Sequence, residues 1–456
     1  MDATSPIATR VRILLALALV AVVAAACKPG GTVTQASAPP PPASTGVTET
    51  EPFTLTIWDQ ECCQVSKVWD QLNDEFEATY PNVTIDRVKR DFGQMKTLLR
   101  LAIQGPNPPD VVEGNLGWPD MGGLVKAGLL LPLDNYADAY GWRDRVSQNV
   151  LSLSTWSSGG KEWGTGELFG YTSMGELIGV YYNKQKLEDL GLQVPATFDE
   201  FVSDLEAAKQ AGEVPIQFAN NDAWPGIHEY GVIQDRMAPV DYLTDLIFSG
   251  QGGTLSFDTP ENMQAAATLQ EWANKGYFTP GFGGGGYDDA VANYVKGEGV
   301  FMITGNWIVA DLGADNTDYG FFLLPPMQAG DPPVSTGGSG FPLSITAASD
   351  HPDAAAAYID FMNNDHAIES LLPVGNLPLT QTAPPVQEGT VLADVVTAAG
   401  AVSDSDGVVP YEDYATPTFY DTISAAIQEL MVNRITPQEF VSRLQQDYSE
   451  FQTSRA

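Results

Sequence analysis

At 456 residues, 43% apolar and 10% aromatic, the chain has side chains enough for a large core and for two or three ordinary domains. Its 58 acids against 22 bases leave a formal charge of −36, which excludes a phosphate-binding nucleic-acid surface and suits an anionic membrane face poorly. This acidity reads as a soluble, self-repelling surface rather than as a device for binding cations.

The first 26 residues read as an export signal: Arg10 and Arg12, an apolar run from Ile13 to Val23, then Ala24, Ala25 and Ala26 before Cys27. The apolar run is too short to span a bilayer comfortably. Small residues ending in Cys resemble the bacterial lipobox, which implies lipid on Cys27. Ala24 stands where that motif usually has Leu, so a plain signal-peptidase cut after Ala26 is the alternative. Residues 27–52, rich in Pro, Gly, Ser and Thr, read as a flexible tether. Of the remaining cysteines, Cys62 and Cys63 are adjacent. An oxidising compartment admits a vicinal disulfide, and two free thiols in a loop are the alternative.

Beyond the tether, Phe53–Trp58 alternates as a strand, Val65–Tyr80 has helical spacing, and Val83–Ile85 is a second strand. Met95–Gln104 is a helix and Asp110–Val112 a third strand. Leu177–Tyr182 is a strand, and Phe198–Gln210 a helix with Thr197 as its cap and Glu200 as the reciprocal partner. Pro215–Phe218 follows as a strand, Met263–Lys275 as a helix, Val300–Ile303 and Leu343–Thr346 as strands. Helices over Asp353–Asn363, Thr422–Val432 and Pro437–Phe451 complete the chain. Strands alternating with helices imply an α/β protein with largely parallel sheets, and no repeat of 20 to 50 residues is visible.

Within this pattern, the strand ending in Tyr182-Asn183-Lys184 and the later Pro195-Ala-Thr-Phe-Asp-Glu-Phe201 resemble the family-1 extracellular solute-binding proteins of carbohydrate ABC importers, the maltose-binding-protein-like group. Pro109-Asp110-Val-Val112, Gly128-Leu-Leu-Leu-Pro-Leu133, Gly297 to Trp307, Leu324-Pro-Pro326, Gly337-Gly-Ser-Gly340 and Ala354 to Phe361 match further elements in the family's order, over roughly residues 53 to 451. The resemblance implies a two-lobed, periplasmic-binding-protein-like fold (type II-like), each lobe a mostly parallel sheet flanked by helices. It places one lobe at 53–175 plus 338–373 and the other at 176–337 plus 374–456. It implies capture of an intact sugar in the cleft and delivery to membrane permease subunits by a monomer tethered only through its lipid. No cofactor is implied.

A sugar offers polar hydroxyls and an apolar C–H face, so its site wants an aromatic platform with carboxylates and amides around it. The resemblance puts Trp307, after Asn306, at the family's stacking position and Glu176 at a ligand carboxylate near a crossing between lobes. It also marks Asn220, Asn221, Asp222 and Trp224 in a cleft loop, Ser339 and Gly340 at a crossing, and Phe419 or Tyr420 as a late stacking aromatic. Asp59, Gln60 and Glu61 leave the first strand at its carboxyl end, and Glu113, Asn115 and Trp118 leave the third, where open α/β sheets place ligands. The family's usual aromatic and charged residues are not reproduced one for one after Asp110, which puts maltose itself in doubt.

Gly281-Phe-Gly283-Gly-Gly-Gly286 fits a dinucleotide fingerprint only literally. Thr279-Pro280 precede it, and Asp288 and Asp289 would repel a pyrophosphate, so it reads as a loop. His228, His351 and His366 lack metal-ligand spacing. Ser339 lacks the surroundings of a nucleophile elbow, and Asp404 to Gly407 reads as a solvated turn rather than a calcium loop. The expectation is therefore a non-enzymatic binder. Two rivals stand beside it: a secreted glycoside hydrolase, which needs two carboxylates flanking a glycosidic bond, and the same fold holding a polyamine, metal chelate or peptide.

Overall fold

Phe53–Asp59 alternates polar and apolar side chains and forms β1, which buries Leu55 and Ile57 on one face. The computed structural model describes residues 43–249, 255–380 and 384–455. Cys27, the export signal and the tether up to residue 42 lie outside the described residues.

β1 pairs parallel with β2 (Val83–Lys89) and with β3 (Val111–Glu113), while β10 (Leu343–Ile345) closes the other edge antiparallel to β3. The helices Cys63–Thr79 and Phe92–Ile103 connect these parallel strands. The second of them starts at Asp91, whose side chain accepts from the Gln94 amide at 2.8 Å. Leu72 and Phe76, one helical turn apart, pack with Leu55, Ile57, Val111, Ile345 and Tyr358 in one core. Each such side chain contributes about 2 kcal/mol on full burial.

The last ten residues of the expected tether are docked on this body rather than free of it. The Gly46 amide donates to the Tyr140 hydroxyl at 2.7 Å, Asn82 Nδ2 donates to the Glu49 carbonyl at 2.7 Å, and Ala43 and Val47 pack on the same core. Composition alone does not foresee these partners, which are distant in sequence.

A two-stranded ribbon, β4 (Thr155–Trp156) and β5 (Glu167–Leu168), precedes the second sheet. That sheet is built on β6 (Met174–Asn183), whose alternate residues serve two cores. Ile178 and Val180 face one, with Phe201, Ile216, Trp272 and Phe301; Leu177 and Tyr181 face the other, with Ile308, Val309 and Tyr319. β7 (Phe301–Gly305), β8 (Tyr319–Phe322), β9 (Ser335–Ser339) and β11 (Leu377–Pro378) all pair antiparallel with β6, and only β12 (Val408–Val409) runs parallel, against β9. The parallel expectation thus fits the first sheet, whereas the second is mixed. Hydrophobic alternation carries no information about strand direction, and one long β6 serves four partners along its length.

Three segments run together between the sheets. Gly340 donates its amide to Met174 O at 2.9 Å, Leu379 donates to Ser173 O at 2.8 Å, and Tyr171 bridges Leu343. The segment expected as a strand at Pro215–Phe218 makes only isolated bridges, from Ile216 to Phe278 and Phe301, and the Phe218 amide donates to the Thr279 hydroxyl rather than to a strand carbonyl. Phe198–Gln210 is a helix as expected, with the complete capping box of Thr197 and Glu200. No helix among the described residues is long and apolar enough to cross a membrane.

Candidate functional site

The first wall comes from the carboxyl ends of β1 and β3. Asp59, the last residue of β1, is fully buried, and the Arg87 fork holds both its oxygens at 2.7 Å. Its Oδ1 also accepts from the Glu61 amide at 3.0 Å. The Gln60 amide donates to Glu113 Oε2 at 2.9 Å, so the loops after the two strands are fastened together. Burial, and after it the Asp59 charge, pushes Glu61 up to about 7. Burial, with Glu61 and Asp59 beside it, raises Glu113 well above the usual carboxylate range. Asn115 is buried and accepts from the Leu116 amide at 2.8 Å. A small pocket open to solvent lies beside Gln60, Lys96, Glu113, Asn115 and Asp120. Lys96 Nζ is 2.7 Å from Asp120 Oδ2.

The second wall is aromatic. Trp307 stands just past β7, half-buried, and its indole N–H donates to the Tyr287 hydroxyl at 2.6 Å. That hydroxyl also meets Thr304 Oγ1 at 2.8 Å. Any Cβ at Gly305 would fall inside the Trp307 ring, which explains the Gly two residues before the Trp. Trp224 lies 4.4 Å from Tyr287 and 6.2 Å from Trp307, ring centre to ring centre. His228 spans from Trp307 (5.6 Å) to Tyr411 (5.4 Å). Burial drives His228 down to about 3, so its imidazole is neutral at physiological pH. Tyr411 donates to Glu176 Oε2 at 3.1 Å, and burial still pushes Glu176 up to about 8.

The walls touch. Lys96 Nζ lies 4.1 Å over the Tyr420 ring, and Phe92 is 6.1 Å from it. Gly117, at φ +79°, lets the loop after β3 reach Tyr414, where a Cβ would clash with the Tyr414 backbone. Glu61 and Glu176 lie close enough for their charges to raise the pKa of Glu176.

Several of the residues singled out in the sequence hold the frame. Asn306 is buried: its Oδ1 accepts from Leu177 N at 2.8 Å, and its Nδ2 donates to Gly375 O at 2.6 Å and Gly175 O at 3.3 Å. Asn220 Oδ1 accepts from Gly226 N at 2.9 Å, at the start of the helix Pro225–Met237. Asn221 and Asp222 are exposed, and Asp222 accepts from the Tyr287 amide at 2.7 Å. Ser339 is buried, bonded to the carbonyl of Gly340.

Trp118 and Phe419 point into the core. Trp118 packs edge-on to Trp156 (4.8 Å) and Phe451 (4.9 Å) under the Arg455 guanidinium, and Phe419 lies 4.6 Å from Phe257. Trp118 owes this to the last helix of the chain and Phe419 to the distant Phe257, partners that periodicity does not reveal. Of the two late aromatics, Tyr420 alone faces the other wall.

Sequence reasoning missed Tyr287, His228, Tyr411 and Lys96. Tyr287 follows the glycine run set aside as a loop, and that run does form only a short turn, Phe282–Gly284, before the helix Tyr287–Val295. Tyr411-Glu-Asp-Tyr414, a polar-aromatic run directly after β12, was the one local signal that could have been read. Among the described residues, no three His, Cys, Asp or Glu side chains come together as metal ligands.

Two α/β sheets, one built on β1 and the other on β6, are the architecture of the two-lobed solute-binding proteins. The chain belongs to the bacterial extracellular solute-binding protein family, whose model matches residues 64–369. It is 26% identical over 205 residues to the multiple sugar-binding protein of Streptococcus mutans serotype c, a match covering 44% of this chain and 48% of that protein. The chain thus spans about half the length of that curated relative. A solved structure concerned with xylan utilization by the thermophilic bacterium Caldanaerobius polysaccharolyticus superposes with a TM-score of 0.77 at 24% identity, covering 86% of this chain and 99% of the other. A chitin oligosaccharide binding protein gives 0.76 at 21% identity, covering 88% and 99%. At these identities the likeness shows the fold.

Proposed function

We propose that this protein captures an intact mono- or oligosaccharide between its two walls and delivers it to the permease of an ABC importer. The observation that carries this reading is the aromatic group of Trp307, Trp224 and Tyr287, linked through His228, Tyr411 and Glu176 to the hydrogen-bonding row of Gln60, Glu61 and Glu113. Aromatic planes take the C–H face of a pyranose, and carboxyl and amide groups take its hydroxyls. The sugar-binding relatives named above support the same class of ligand. Trp307 and Trp224 are the stacking platforms. Glu176, Gln60, Glu61, Glu113 and Asn115 are the polar partners, with Tyr420 closing the rim. Asp59, Asn306, Asn220, Ser339 and Gly340 position these groups, and Asn221 and Asp222 edge the opening.

The hinge lies where the chain crosses between lobes, near 175, 338 and 374. Ligand favours closure only by the contacts it makes in the closed form and lacks in the open one. No covalent chemistry is asked of the site. The chain acts as an exported monomer held to the outer face of the membrane by lipid on Cys27. The row of acids also favours a cationic solute as a second reading, so a polyamine belongs among the ligands tried.

The test is a thermal-unfolding screen of the full chain over xylo-, chito- and galacto-oligosaccharides, spermidine and peptides, with chromatography of the recovered sugar. A saccharide at a hundredfold excess over its Kd adds about 2.7 kcal/mol of stability. Stabilisation by a sugar recovered whole supports the reading, cleavage of the sugar favours a hydrolase, and stabilisation by spermidine alone favours the cationic solute.

A further inference from the structure

Cys62 and Cys63 lie where the acid row meets the helix Cys63–Thr79, and in this structure both are exposed free thiols with their sulfurs 2.7 Å apart. Upstream, the chain is fastened by the Glu61 amide on Asp59 and the Gln60 amide on Glu113. Downstream, the Ser66 amide donates to Cys62 O at 2.9 Å. Between these anchors Cys63 takes φ +59°, a left-handed conformation that a residue with a Cβ adopts rarely. Cys62 is the N-cap residue, yet its side chain caps nothing. Asp288 lies near enough for its charge to bear on the Cys62 thiol, in the helix whose Tyr287 holds Trp307. The cysteine pair therefore follows directly on the anchored acid row of Asp59, Gln60 and Glu61.

We propose that Cys62 and Cys63 close into a vicinal disulfide on the cleft rim, and that the oxidised protein binds its saccharide more tightly than the reduced one. The affinity half of this inference rests on the saccharide reading above; the disulfide half does not. The two thiols lose two hydrogens, two electrons and two protons together, to an external disulfide, either a small molecule or a disulfide oxidoreductase. That reagent is reduced to two thiols as the S–S bond forms. An extracellular family works where such bonds persist.

Ring closure through the shared peptide bond fixes two side chains and one backbone turn beside Glu61 before ligand arrives, which removes part of the ordering cost of binding. It also presents an apolar sulfur face where two polar S–H groups stood.

The full chain is treated with glutathione disulfide or with a phosphine reductant and alkylated with iodoacetamide. The peptide carrying residues 62 and 63 is weighed, and each form is titrated calorimetrically with xylotriose, N,N′-diacetylchitobiose and raffinose. The expected oxidised peptide is unalkylated and lighter by two hydrogens. The oxidised chain is expected to bind one of these sugars about tenfold tighter than the reduced chain, and the Cys62→Ser/Cys63→Ser variant to bind like the reduced chain in either buffer. Two alkylated thiols after oxidation overturn the disulfide. Equal affinities in the two forms overturn its role in binding. Absence of binding in both forms overturns that role together with the saccharide reading, while the peptide mass still decides the disulfide by itself.

Discussion

The indole N–H of Trp307 is bound to the hydroxyl of Tyr287 at 2.6 Å, which fixes the plane of the platform from the helix that follows the glycine run. The bond is neutral and partly buried, so it contributes about 1 kcal/mol to holding the ring. Tyr287→Phe keeps the packing on Trp224 but frees the indole. Saccharide affinity should fall about fivefold with the unfolding midpoint nearly unchanged, as read by calorimetry and circular dichroism side by side.

Gly305 is the second constraint on that ring. A methyl group there occupies the space of the Trp307 six-membered ring and forces it out of position. Gly305→Ala should therefore cost affinity nearly as much as Trp307→Ala, about tenfold or more. Quenching of tryptophan fluorescence by iodide should rise as the indole swings outward.

Asn306 joins β6, β7 and the turn before β11 through three hydrogen bonds to backbone groups. Asn306→Ala leaves a buried N–H and two carbonyls without partners, at a cost of about 3 kcal/mol. Urea unfolding should show a lower midpoint with an unchanged slope.

Glu176 is raised from 4.5 to about 8 by burial, so the folded protein keeps a proton that the unfolded chain has lost. Its contribution is complete below about pH 4.5 and is lost as pH rises through 8. His228 works the other way. Its pKa falls from 6.5 to about 3, so its contribution is complete above 6.5 and is lost as pH falls toward 3. Between pH 6.5 and 8 Glu176 titrates while His228 does not. Glu176→Gln should accordingly gain thermal stability relative to the parent at pH 8 and show little gain at pH 5. Equal differences at the two pH values would mean that Glu176 stays ionised in the fold.

Much of the fold was legible because it is local. Thr197 and Glu200 announce a helix start three residues apart, and both bonds of their capping box are present. Leu72 and Phe76 repeat at helical spacing, and β1 alternates, so these elements follow from period alone. The direction of the strands around β6 does not, since pairing is decided by residues far apart in the chain. At the site, Gly-x-Trp was readable because Gly305 and Trp307 touch. Asn306 between them looks like a ligand residue until its three backbone partners, none adjacent to it, are in view. Trp118 likewise looks like a platform until Phe451 and Arg455, more than 300 residues on, cover it. His228 carries no local signature, because it gains its meaning only from Trp307 and Tyr411 on either side of it.

The measurement that bears most directly on a saccharide-gripping cleft is a titration of the full chain with the best sugar from the stability screen, followed by tryptophan fluorescence in the parent and in Trp307→Ala. The account predicts a saturable change at one sugar per chain in the parent, and a Kd at least tenfold weaker in the variant, since a central aromatic platform is worth about 2 kcal/mol. Identical binding curves for parent and variant would contradict it.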